Sequence, residues 1–455
     1  MLKALYPPLI LIAFLTSPLI ATEYYIDSRN GSDDASGTSE DQAWRSLAKV
    51  NAADFKPGDI VRFARGGLWR GSLRPKSGTS GKPITYTGYG PSDLPKPRFY
   101  GSKSLNRVTD WVKVETRLWR TAEPVTEPAR PDFSDVGNLI MDGNRGSVKC
   151  GKKEQLKTEG CFWFEPETRC VWFVGTDNPA ASCREMEAAL RPNVIHLWDV
   201  HHVVFSDFDV RYGAAHGFGG ADNSHITIRD CDISWIGGGY QNIGTDGVPS
   251  DSVRYGNGIE FWANAHDHLV EGCRLWEIYD AALTNQGTGK NEQRNITYRN
   301  NVIWNCEYSF EYWNRGEESI TDNIVFTNNT CLNAGYGWGH TQRPDPNGRH
   351  LMFYEEPAKT TNFVVSHNVF VNATDSILRI DGPRTRKQAA DPSHVVPKSD
   401  IADIAWVREL TMDHNVWFQQ PDDGRTLVVW MSEKIHDFSE YQNKTGMDQN
   451  TLYQP

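Results

Sequence analysis

From residue 201 onward one pattern recurs along the chain: apolar, any, apolar, two of any kind, a small residue or Asn, any, apolar. The small-or-Asn position falls at Phe208, Cys231, Cys273, Asn301, Asn329, Asn368 and Asn415. Five residues earlier stand Val203, Ile226, His268, Ile296, Ile324, Phe363 and Leu410. Three earlier stand Phe205, Ile228, Val270, Tyr298, Phe326, Val365 and Met412, and two later Val210, Ile233, Leu275, Ile303, Cys331, Phe370 and Trp417. Alternation of period two means strands. The step is 23 residues from Phe208 to Cys231 and 28 from Cys273 to Asn301 and again to Asn329. That spacing suits no helical heptad or helix pair. It predicts an all-β chain, a parallel β-helix in which each coil buries its inner face only by stacking on the next. Asn at the turn position is expected both to tolerate a left-handed backbone and to stack its amide in a ladder.

The remainder is read around that core. Lys3, the apolar stretch 9–19 and the small residue ending Leu19-Ile20-Ala21 predict a secretory signal peptide over 1–21, too short to span a bilayer. Localisation is then secreted or periplasmic, without membrane insertion. Residues 22–110 are expected to hold a short helix at 44–51 capping the open end, then first rungs at 60–63 and 84–86. Residues 111–187 break the period. LWRTAEP, CFWFEPETRCVWFVG and Cys150, Cys161, Cys170 and Cys183 predict a β-rich elaboration there. Their pairing is unreadable, since four Cys allow three connectivities. Residues 188–455 form the main solenoid and its exit segment. A net charge of −11 argues against nucleic acid.

The block 201–415 resembles the right-handed parallel β-helix proteins of the pectate-lyase-like superfold. The opening YYIDSRNGSDDASGTSEDQAWRSLAKVN and the ending YQNKTGMDQNTLYQP are similar to secreted bacterial members. The resemblance implies a right-handed coil and a carbohydrate-active type. It leaves the chemistry open, because this superfold carries lyases, hydrolases, epimerases and adhesins.

Candidate site residues come from where the repeat is interrupted. Excess sequence falls at 241–255, at 336–350 and in the basic stretch 382–398, three loops that would wall a groove. On the strand face between them, alternation predicts an outward column Glu260, Leu283, Glu311 beside a second column Trp262, Asn285, Trp313. One intervening strand would separate the two Glu by about 9.6 Å. Paired carboxylates at such a distance suit an inverting glycosidase, which holds acid and base roughly 6.5–9.5 Å apart around a water. Glu311 is the expected acid, its pKa raised by Trp313 and apolar neighbours, and Glu260 the base that activates water; the alternative is that both are solvated strand charges. Trp262, Asn285, Trp313 and Tyr255 would bind the polysaccharide substrate. Asp280 is a turn residue near the groove, and His340 and Arg343 would overhang it from a loop.

A lyase or epimerase would instead use His340, Arg343 and Tyr255, and a non-catalytic glycan-binding module would use neither set. His266, Asp267 and His268 cluster locally, His268 as a structural residue on an inward slot. No cofactor is called for. Asp246 and Asp251 leave Ca²⁺ open, although their spacing lacks the DxD pattern. Oligomeric state is not readable.

Overall fold

In a computed structural model of the chain, residues 21–127, 134–244, 248–249, 253–315, 318–344, 346–354, 359–381, 408–419, 425–431 and 433–454 are described. The signal-peptide expectation at 1–20, Asp246, Asp251 and the loop at 382–398 lie outside them.

The molecule is all-β, and the periodic columns pair as the repeat predicts. Val203 stands beside Ile226, and Phe205 beside Ile228, in parallel register. Ile228 pairs with Val270, Val270 with Tyr298, Tyr298 with Phe326, Phe326 with Val365 and Val365 with Met412. The positions two after the Asn slot form a second parallel sheet of ten strands, running Val210, Ile233, Leu275, Ile303, Cys331, Phe370 and Trp417. These side chains share one continuous core and are buried.

The Asn expectation needs one correction. The left-handed backbone belongs to the preceding residue: Asn300, Asn328, His367 and His414 have φ of 55–58°. The Asn slot itself is the hydrogen-bonding ladder. Asn329 Oδ1 accepts both the backbone N–H and the amide Nδ2 of Asn301, each at 3.0 Å, and Asn368 and Asn415 repeat the arrangement.

Strands Ile60–Ala64 and Ile84–Tyr89 pair with each other, and Ile84 pairs with Val203. The chain therefore leaves after the strand Arg98–Tyr100 and returns near Ile195 to continue the same stack. In between, mostly antiparallel strands form two small sheets, from Ser102–Ser104 to Met186–Leu190, around their own core of Trp111, Trp119, Leu139, Phe162 and Met186. All eight Cys are free thiols, so no disulfide staples this region; Cys150 and Cys161 pack together beside Val174. A helix, Leu47–Ala52, buries Leu47 and Val50 against the first strands and is capped by the Ser46 side chain. Among the described residues no helix is long and apolar enough to cross a membrane.

Candidate active site

Glu260 lies on the strand Ile259–Glu271, whose Ile259 and Phe261 point into the core. Alternation therefore turns Glu260 and Trp262 outward. The next strand departs from the predicted register by one residue. Glu260 pairs with Thr284 and Trp262 with Gln286, and these pair in turn with Glu311 and Trp313. The outward columns are thus Glu260, Thr284, Glu311 and Trp262, Gln286, Trp313. Leu283 and Asn285 point inward and are fully buried, and Asn285 is spent on Gln293 and Tyr298. The slip arises at the turn holding Tyr279 and Asp280. Ala281 pairs with Tyr308, so eight residues separate it from Cys273 where seven separate Tyr308 from Asn301.

The columns line a cleft of about 670 Å³ that also takes in Asp280, Arg343 and Tyr255. The hairpin of Gly239–Tyr240 and Arg254–Tyr255 forms one wall, and the segment carrying Arg343 another. Neither Glu is a solvated strand charge: Glu260 is 7% exposed and Glu311 5%. Burial pushes the Glu260 carboxyl up to about 7, against the opposing effect of an Asn257 Nδ2 donor at 2.6 Å. Glu311 is raised well above the ordinary carboxylate range, first by burial and then by the charges of Asp280 and Glu260. Among the described residues its carboxyl accepts from Gln286 Nε2, at 3.0 Å. Asp280 is also raised by burial, but the Arg343 guanidinium, 3.2 Å away, favours its charged form. Three carboxyls so close cannot all ionise together. Asp280, with a cation beside it, holds charge most readily, and Glu311, with only an amide, keeps its proton.

His216 was not singled out from the sequence. Its Nδ1 accepts the backbone N–H of Asn257 at 3.1 Å, which leaves the proton on Nε2, 3.3 Å from Glu260 Oε1. Burial holds the ring neutral, lowering it to about 4. Gly219 occupies the Glu260 column one strand earlier, and a Cβ there would come within 2.8 Å of the His216 Cβ. The run HGFGG, replacing alternation with glycine, was the available signal. His340 is not at the cleft. Its Nδ1 bonds the buried Glu307 at 2.9 Å, so this side chain turns away from the cleft while Arg343 on the same segment lines it. Tyr255 packs edge-on against His216, and Trp262 and Trp313 meet edge to face at 5.2 Å, both half-buried. His268 is buried and stacks on Phe261, accepting the Ile226 N–H.

No family model matches the chain. A segment is 38% identical over 87 residues to a lacto-N-biosidase of Bifidobacterium longum subsp. longum; the match covers 18% of this chain and 5% of that protein. Similar solved structures include a glycoside hydrolase (10% identity, 88% of this chain and 94% of that one, TM-score 0.47). Others are the lacto-N-biosidase of Eubacterium ramulus (14%, 95% and 66%, TM-score 0.41) and an alginate lyase of Paenibacillus sp. str. FPU-7 (9%, 82% and 85%, TM-score 0.42).

Proposed function

We propose that this chain is an exported glycoside hydrolase built on a right-handed parallel β-helix, cleaving a polysaccharide in the cleft over Glu260 and Glu311. Residues 1–21 direct export, the helix Leu47–Ala52 caps the coil, and the antiparallel region is an elaboration between two coils. The observation that carries the reading is the pair of buried, outward-facing carboxyls two strand positions apart, both raised above the ordinary carboxylate range by burial. The sequence similarity to a lacto-N-biosidase, though confined to 87 residues, points to the same broad chemistry.

In this reading Glu311 gives its proton to the glycosidic oxygen as the bond breaks. Glu260, ionised and steadied by donors from Asn257 and His216, takes a proton from the attacking water. Their strands stand two spacings apart, about 9.6 Å at the backbone, which leaves room for that water and predicts inversion at the anomeric carbon. Asp280 and Arg343 form a charge pair beside Glu311, and Asp280 helps keep its proton on. Trp262 and Trp313 offer apolar faces to sugar rings. Of the groups an eliminating enzyme would use, Arg343 is engaged by Asp280 and the Tyr279 carbonyl and His340 by Glu307, while Tyr255 stays in the cleft.

The test is a screen of plant, algal and host glycans, reading new reducing ends and ultraviolet absorbance together. Reducing ends without absorbance, with an inverted anomer as the first product by proton NMR, are expected. Absorbance from an unsaturated sugar would replace the reading with elimination, and binding without new ends would replace it with a glycan-binding module.

A further inference from the structure

A second cluster lies round the corner from the cleft, on the same strand. After Trp262 the backbone bends at Ala263 and Asn264, both at positive φ, and then presents His266 and Asp267 on the adjoining face. Asp267 belongs to a ladder of left-handed residues, one per repeat: His202, His225, Asp267, Asn295, Asn323 and Asn362, with φ between 48° and 59°. The Asn members satisfy one another. Asn362 donates to Asn323, Asn323 to Asn295 and Asn295 to Asp267 Oδ1, at 2.7–3.1 Å. An amide carries both donor and acceptor and can continue such a chain indefinitely; a carboxylate cannot.

At Asp267 the amide chain stops. Oδ1 is taken by Asn295, while Oδ2 lies 2.6 Å from His266 Nδ1 and 3.7 Å from His225 Nε2. One oxygen and two imidazole nitrogens from two neighbouring repeats thus converge, all within 4.8 Å of one another. A first-row divalent ion binds such atoms at about 2.0–2.2 Å, so tetrahedral ligands stand roughly 3.3 Å apart, a small adjustment from the spacing here. The side chains are 45%, 28% and 32% exposed for His225, His266 and Asp267, leaving a route for the ion and a place for water as fourth ligand. Two imidazoles and one carboxylate suit zinc and its first-row neighbours rather than Ca²⁺ or Mg²⁺, which prefer all-oxygen shells.

We propose that His225, His266 and Asp267 form a surface site for a divalent transition-metal ion, Zn²⁺ or a close analogue. The ion ties the strand Phe218–Arg229 to the strand Ile259–Glu271 where the amide ladder ends. The site is separate from the carboxyls of the cleft and does not depend on the proposed activity.

The test uses full-length protein stripped with a chelator and titrated with Co²⁺ and Zn²⁺, with calorimetry, visible absorption and thermal unfolding as readouts. Wild type should take up one equivalent, show Co²⁺ ligand-field absorption without a thiolate charge-transfer band, and unfold at higher temperature with Zn²⁺. Asp267→Asn and His225→Asn put the ladder's own residue back, so metal-free stability should hold. Affinity in each should fall by more than the tenfold typical of losing an outer-shell partner. No saturable binding in wild type would overturn the proposal. So would equal binding by both variants, or a thiolate band, which would move the ion to a site such as Cys150 and Cys161.

Discussion

Of the polar stacks that run along this molecule, two are opposites. The Asn ladder from Asn301 to Asn415 is fully buried and fully satisfied: each amide accepts from the repeat before it and donates to a carbonyl or to the next Asn. The column Glu260, Thr284, Glu311 is almost as buried, yet its members do not satisfy one another. Thr284 Oγ1 has no hydrogen-bond partner among the described residues, and both carboxyls are pushed above their ordinary range. A buried amide network stabilises the stack it threads, whereas buried carboxyls work against it. The proposed chemistry is what accounts for keeping an unfavourable column beside a favourable one.

The largest effect should come from breaking the satisfied stack. Asn329→Leu leaves the Asn301 N–H, the Asn301 amide and the Tyr298 carbonyl without their bonds. At about 1–3 kcal/mol for each orphaned group, chemical denaturation should show a loss of at least about 3 kcal/mol, with activity lost only as the fold is lost.

Relieving the unsatisfied column should do the reverse. Glu260 titrates near its ordinary value, about 4.3, in the unfolded chain and at about 7 when folded. Between those values the unfolded chain has shed a proton that the folded one retains, so this group lowers stability as pH rises through that window. Glu260→Gln should therefore match wild type near pH 4 and exceed it by up to about 3 kcal/mol at pH 7, read from unfolding curves at both pH values. A variant equally stable at both would show that the carboxyl is solvated after all.

Trp313→Ala probes the flank of the same column. Losing one aromatic face of roughly 0.5–1.5 kcal/mol should raise KM for the polymer about three- to tenfold with kcat little changed. A fall in kcat at constant KM would instead place Trp313 in the acid's environment.

The interior was legible because it repeats: Val203, Ile226 and their successors obey one spacing, and strand register followed from it. The site was legible only in part, because function lies where the repeat is broken. Glu260 and Glu311 could be found by alternation, but one extra residue at the turn around Tyr279 and Asp280 moved Leu283 and Asn285 inward and put Thr284 and Gln286 in their places. Outwardness on a strand also does not measure solvation. Glu311 points away from the core and is buried nonetheless, because the segments around Tyr255 and Arg343 cover it, and no local pattern reports such long-range cover. His216 belonged to no column, and its role depends on the space left by Gly219.

In the proposed reaction Glu311 carries the transferred proton. The direct measurement is kcat of Glu311→Gln against wild type on the glycan found in the screen, with a pH profile for each. Glutamine keeps the shape and the Gln286 contact but holds no transferable proton. Wild-type kcat/KM should rise through about pH 7 as Glu260 ionises and fall at higher pH as Glu311 does. The variant should lose at least about 10²-fold in kcat and the alkaline limb with it, while unfolding no more easily than wild type. Near wild-type turnover by Glu311→Gln, with both limbs intact, would contradict the account.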